Sequence, residues 1–295
     1  MTDRLSWAPR PHDLGGGFTV RRALPAAACR SVGPFVFFDH FGPVEAGPGD
    51  DHDVRPHPHI GLATVTYLFE GAMLHRDSTG IVQRIEPGAI NWMTAGRGIV
   101  HSERTPDDLR GRRRRSHGLQ LWVALPADAE AGEPGFAHTA AGDLPVLEVG
   151  GARLRLLVGE AFGAGSPVRA ASPTLFADIV LSAGDALPLP PADERAVYGI
   201  DHPFTLDGAT VAPHTMVRLA PGEEPLLAAT HDGGPTRVAL IGGAPLGERV
   251  VWWNFVASRR EAVVQAADDW AAGRFPAVPG ETEFIPLPER RPPPA

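Results

Sequence analysis

What most restricts the fold of this chain is how often it is interrupted. Its 34 glycines and 31 prolines leave few stretches longer than a β-strand between them. Those stretches are alternating or β-branched: FVFFDHFG from Phe35, LATVTYLFEG from Leu62, IVQRIEPG from Ile81, AINWMTAG from Ala89 and LQLWVALP from Leu119. Alternation with period two places the apolar side chains on one face of an extended strand, and the Gly and Pro turns end each run before the next begins. A parallel sheet would need amphipathic crossover helices between its strands, and these are missing. The spacing therefore predicts an all-β protein, a sandwich or a barrel.

At 295 residues the chain is long enough for two medium domains, each burying its own core. Around residues 126–145 the composition shifts to Ala, Gly, Asp, Glu and Pro (PADAEAGEPGFAHTAAGDLP), as in a linker or exposed crossover. This places one domain at residues 1–130 and a second at 145–295. The second half repeats the rhythm of the first: LSAGDALPLP and VRLAPGEEPLLAA resemble the Pro-Gly-acidic turn of IEPGAINWM, a pattern of duplication. One late segment reads as a short helix that ends the second domain. There Ser258 and Glu261 form an S-x-x-E capping box, Val263, Ala267 and Trp270 keep helical spacing, and Gly273 can close it. The preceding run, VVWWNFVA from Val250, reads as a very apolar core strand.

Charge and composition exclude several functions. A net charge of -8 argues against a general nucleic-acid surface, which needs clustered positive charge. Arg110 and the arginines at 112–115 read as a solvated basic loop. None of the 27 basic residues is a lysine, so there is neither a Walker-A lysine nor a Schiff-base lysine. A serine-hydrolase elbow is missing, and the GRG of TAGRGIVHSE lacks the third glycine and helix of a dinucleotide site. No apolar run approaches the ~20 residues of a membrane span. The opening MTDRLSWAPRPHD lacks a secretory layout, and Cys29 is the only cysteine, so a cytoplasmic protein without membrane contact is expected.

Two short spacings carry the chemistry. His57 and His59 lie in RPHPHIG, and on an extended segment an i,i+2 pair projects from one face. His101 and Glu103, in GRGIVHSERT, repeat the spacing with an imidazole and a carboxylate. Enough hairpins separate the pairs to return the second strand beside the first. Three neutral nitrogens and one anionic oxygen suit a borderline first-row divalent ion, with zinc, manganese, nickel and copper chemically admissible beside iron. His40, His52, His75 and His117 read by default as structural or supporting histidines.

The stretches PFVFFDHFGP from Pro34, PHPHIGLATVTYLFEG from Pro56, LHRDSTG from Leu74, INWMTAGRGIVHSE from Ile90 and HGLQLWVALP from His117 resemble the pirins, a family of the cupin superfamily of β-barrels. The resemblance spans nearly the whole first half, in order. It departs at Ile60 and Ala63, where pirins commonly carry arginine and glutamate. It implies a bicupin, two cupin-type barrels with a short C-terminal helix. One metal ion, usually iron and here expected as Fe(II), would be held in the first barrel by His57, His59, His101 and Glu103, and the second barrel would carry none.

Two functions follow from the resemblance. One is a non-haem iron dioxygenase of the quercetin 2,3-dioxygenase type, in which the metal binds a flavonol, or a related enolisable aromatic, through its hydroxyl oxygen. Glu103 would take the proton and dioxygen would attack the activated ring. The other is an iron-binding, redox-responsive regulatory protein that binds a transcription factor or a metabolic enzyme.

Overall fold

In the computed structural model, which describes residues 4–13, 18–50, 52–229, 233–289 and 292, the runs singled out above are strands: Phe35–Ala46, Leu62–Glu70, Val82–Ile85, Ile90–Thr94 and Arg114–Ala124. Among the described residues one α-helix is present, Arg260–Ala271. The protein is all-β, and its contacts divide it into two units that interleave along the chain. One comprises residues 1–12, 21–40 and 139–245; the other comprises 13–20, 41–138 and 246–295.

The chain crosses between units at 138/139, inside the Ala- and Gly-rich stretch, yet its two ends are exchanged relative to a single cut there. The terminal helix does not close the second barrel, as its place in the sequence suggested. Its apolar stripe, Val263, Ala266 and Ala267, is buried against Ile60, Phe255 and Ala257, which anchors it in the unit of the first-half strands. The capping box is not formed either. Arg259 holds the N-cap position without a side-chain bond, while the backbone N–H and hydroxyl of Ser258 donate to the Glu130 carboxylate at 2.7 and 2.9 Å. A carboxylate that offers both oxygens outcompetes a local turn, because charge-assisted hydrogen bonds are the stronger kind. The run VVWWNFVA is a hairpin, Val250–Trp252 against Phe255–Ala257, turning at Trp253 with φ of +52°. Only its second strand is fully buried.

The unit containing residues 139–245 pairs a seven-stranded antiparallel sheet with a four-stranded one. Its interior is mainly apolar, with Leu154, Leu156, Ile179, Val197, Phe204 and Leu240 among the buried residues. Inward positions of a small barrel are filled by side chains, and here most of them are apolar, with the buried Arg195 guanidinium held by the Leu189, Pro190 and Glu223 carbonyls.

In the other unit, Val54–His59 pairs with Ile99–Arg104, which pairs with Met73–Asp77 and then Val82–Ile85. A second sheet sets Leu62–Glu70 between Ile90–Thr94 and Arg114–Ala124. The sharp turn from Val54–His59 into Leu62–Glu70 is made at Gly61, whose φ of +66° is open to glycine at little cost. The hairpin backbone approaches there: Ile60 bridges Phe255 in parallel, and Val256 N–H donates to Ile60 O at 3.2 Å. A Cβ at residue 61 would run into the Val256 carbonyl oxygen. Gly61→Ala should therefore lower the unfolding free energy by at least about 2 kcal/mol, as strain at positive φ adds to a backbone clash. Gly80→Ala, at φ +91° with open space around it, bears the conformational part alone and should cost less in the same urea titration. Equal losses would rule out the packing role of Gly61.

Candidate metal centre

The antiparallel register of Ile99–Arg104 on Val54–His59 sets Ile99 opposite His59 and His101 opposite His57. Side chains of paired residues share a face, so His57, His59 and His101 project together. One ring nitrogen from each lies within 4.8 Å of the other two, and all three residues are buried. Among the described residues this is the one group of three metal-ligating side chains with such geometry.

Each ring is held from behind. His57 Nδ1 lies 2.9 Å from Arg55 O, and His59 Nδ1 lies 3.0 Å from Asn254 O. A carbonyl oxygen can only accept, so in both rings Nδ1 carries the proton and donates, leaving Nε2 as a bare lone pair. His101 Nδ1 lies 3.4 Å from His75 Nδ1, and its Nε2 lies 3.1 Å from His59 Nε2. Burial pushes His57 down to about 4. It also holds His59 and His101 well below the ordinary imidazole value, and the neighbouring imidazoles add to this. The rings are neutral at pH 7. Buried, neutral imidazoles with converging nitrogens fit a divalent transition-metal ion, for which they supply borderline nitrogen donors without adding charge.

Glu103 stands apart from this group. It is two residues along the strand from His101, opposite His75 on one side and Val54 on the other, but the pairing with Val54–His59 shifts register between His101 and Glu103. Its carboxylate is not among the atoms that converge. The residue is half-buried, and burial pushes its carboxyl up to about 7.

Two supporting residues, Asn254 and Asp77, were not legible as such, whereas His75 was read as a structural or supporting histidine. Asn254 reaches His59 from 195 residues later in the chain, through its backbone. His75 and Asp77 lie behind His101, with His75 Nε2 2.9 Å from Asp77 Oδ2. The i,i+2 spacing of this pair, in LHRD, is the same as that of the two ligand pairs and was the available signal. Apolar rings border the group: Trp122 meets His59 edge-on at 5.2 Å, and Phe136 stacks on His75 at 4.4 Å. Ile60 and Ala63 take up apolar packing, Ile60 against Phe255 and the terminal helix, Ala63 fully buried between Thr94 and Val123. Ser102 and Arg104, which alternate with His101 along Ile99–Arg104, donate to Glu281, and on Val54–His59 the Pro56 carbonyl accepts from Ile285 N–H at 2.8 Å.

The family model described as "Pirin" matches residues 17–123, and that described as "Pirin C-terminal cupin domain" matches residues 176–276. A pirin-like protein of Caulobacter vibrioides is 46% identical over 291 residues, covering 97% of this chain and 99% of its own. A pirin-like protein of Solanum lycopersicum is 33% identical over 271 residues, covering 90% of this chain and 89% of its own. The crystal structure of quercetin 2,3-dioxygenase from Acinetobacter baumannii superposes with a TM-score of 0.86 at 35% identity, covering 97% of this chain and 96% of that one.

The depressed imidazoles make an acid dependence of stability in chelator-stripped protein. Below 6.5 the unfolded chain takes up protons at these histidines and the folded chain does not, so their contribution is present above 6.5 and is lost as the pH falls, for His57 down to about 4. Glu103 acts in the opposite sense: its folded value near 7 exceeds 4.5, so its contribution is largest at low pH and is lost as the pH rises through 7. Urea midpoints of wild type should fall from pH 6.5 to 4.5 more steeply than those of His57→Gln. Parallel slopes would show that His57 is not held neutral.

Proposed function

The chain belongs to the pirin family, and from that premise we propose that it is a metal-dependent dioxygenase of the quercetin 2,3-dioxygenase type. The observation that carries the proposal is the convergence of three buried imidazole nitrogens within residues 17–123, the span of the first family match. The ion proposed is Fe(II), one per chain, bound by His57, His59 and His101 with Glu103 as a fourth ligand. When bound it supplies Lewis acidity, which lowers the pKa of a coordinated hydroxyl and leaves open positions for small molecules.

The substrate class proposed is a flavonol or related enolisable aromatic, cleaved with dioxygen to carbon monoxide and a depside. His57 and His59 present bare Nε2 atoms because their Nδ1 protons are committed to Arg55 O and Asn254 O. Trp122 sets an apolar ring beside His59, a surface suited to an aromatic ligand. Glu103 is assigned two tasks, ligand and proton acceptor for the substrate hydroxyl. Its place outside the imidazole group and its raised carboxyl suit a residue that exchanges a proton near neutral pH.

The regulatory reading has no comparable observation in its favour. The basic run, its one hint in the sequence, is largely engaged within the chain: Arg110 with Asp53, Arg114 with the Gly47 and Asp50 carbonyls, and Arg115 with Glu70. No helix among the described residues is long and apolar enough to cross a membrane.

Anaerobic Fe(II) loading followed by oxygen uptake with quercetin tests the proposal. His59→Ala should abolish both stoichiometric iron binding and oxygen uptake. Glu103→Gln should keep most of the iron and lose about 100-fold or more in turnover, within the range of general acid–base effects. Absence of metal-dependent turnover across a panel of flavonols would sink the enzyme reading, and a Glu103→Gln variant with full activity would remove Glu103 from the chemistry.

A further inference from the structure

We propose that Asp77 and His75 form a relay that fixes which nitrogen of His101 carries the proton and thereby keeps His101 able to bind the metal. Both are positioning residues, and the inference rests on His101 being a ligand. An ionised carboxylate only accepts hydrogen bonds. Asp77 Oδ1 receives Thr79 N–H at 2.9 Å, Thr79 Oγ1 at 2.6 Å and Ile81 N–H at 3.2 Å, which shapes the turn after Met73–Asp77. Its other oxygen faces His75 Nε2 at 2.9 Å, so that nitrogen must donate. In a neutral ring His75 Nδ1 is then a lone pair. His101 Nδ1, 3.4 Å away, is placed to donate to it, which leaves His101 Nε2 and His59 Nε2 as two lone pairs 3.1 Å apart, an arrangement that a cation between them stabilises.

The outcome matches what Arg55 O and Asn254 O impose on the other two rings. Three separate arrangements thus leave the same nitrogen free at three histidines. The arrangement at His101 differs in ending on a charge. Asp77 is fully buried and His75 nearly so, hence water screens that charge little. A carboxylate acting through a hydrogen bond on the back of a ligand raises the basicity of that ligand. A purely structural Asp77 would account for the three bonds to Oδ1 but not for the alignment of Oδ2 with His75 and of His75 with His101.

Asp77→Asn separates the two roles. The asparagine carbonyl can still accept at the turn, but its amide then donates to His75 Nε2. His75 Nδ1 becomes the donor, His101 Nδ1 the acceptor, and the proton of His101 moves to Nε2, where it blocks the metal. His75→Gln preserves the sense of the relay, since its amide carbonyl accepts from His101 and its amino group donates to Asp77. With Co(II) as the probe, in competition with a chromogenic chelator, Asp77→Asn should bind about 10–100-fold more weakly than wild type, while His75→Gln stays within a few-fold. The Co(II) d–d spectrum should change for Asp77→Asn and change little for His75→Gln.

Equal Co(II) affinity in wild type and Asp77→Asn would overturn the relay and leave the ligand assignment standing. So would a loss in His75→Gln as large as in Asp77→Asn, because shape alone would then explain both. Failure of wild type itself to bind one Co(II) per chain would overturn the ligand assignment and the relay with it. Long-range ¹⁵N–¹H NMR of metal-free wild type needs no variant: His101 should carry its proton on Nδ1, and a proton on Nε2 would refute the relay.

Discussion

The register between Val54–His59 and Ile99–Arg104 is the constraint on which the remainder of the centre depends. With His101 opposite His57 and Ile99 opposite His59, two sequence motifs more than 40 residues apart present their imidazoles on one face. A slip of one residue would turn every side chain of one strand to the other face, separating the rings and carrying Ser102 and Arg104 inward. The opposite face resists that slip. Ser102 and Arg104 are committed to Glu281, and Pro56, on the partner strand, accepts from Ile285 N–H.

A buried polar group is costly unless its hydrogen bonds are made, and this centre contains four buried imidazoles and a carboxylate in Asp77. Carbonyls and Asp77 satisfy the outward sides of the rings, and what remains unsatisfied converges inward. The unit containing residues 139–245 shows the alternative: a similar rhythm of strands and turns around a mainly apolar core cluster. The two units share the antiparallel strand architecture and differ in the chemistry of their inward positions.

Late parts of the chain complete the early site. Asn254 orients His59, the hairpin and terminal helix bury Ile60 beside it, and the segment around Glu281 and Ile285 holds Ile99–Arg104 and Val54–His59. Ile60 and Ala63, which depart from the usual pirin residues, stand where an apolar contact is made.

The sequence by itself determined the strand content, the choice of an all-β sandwich or barrel over a parallel sheet, and the two i,i+2 motifs, because period-two alternation and Gly/Pro punctuation are local properties and an i,i+2 pair on a strand shares a face whatever surrounds it. It did not determine the fate of Ser258, since the competing carboxylate of Glu130 is 128 residues away. Nor could it assign the helix to its unit, because an apolar stripe specifies that it is buried and not against what. Glu103 has the same spacing from His101 that His59 has from His57, yet a register shift leaves its carboxylate outside the imidazole group. For His57 the acceptor is local, Arg55 O two residues away, but for His59 and His101 tertiary structure alone decided which nitrogen faces inward, because the groups at their backs come from elsewhere in the chain: Asn254 O from the far end and the Asp77–His75 pair from a neighbouring strand.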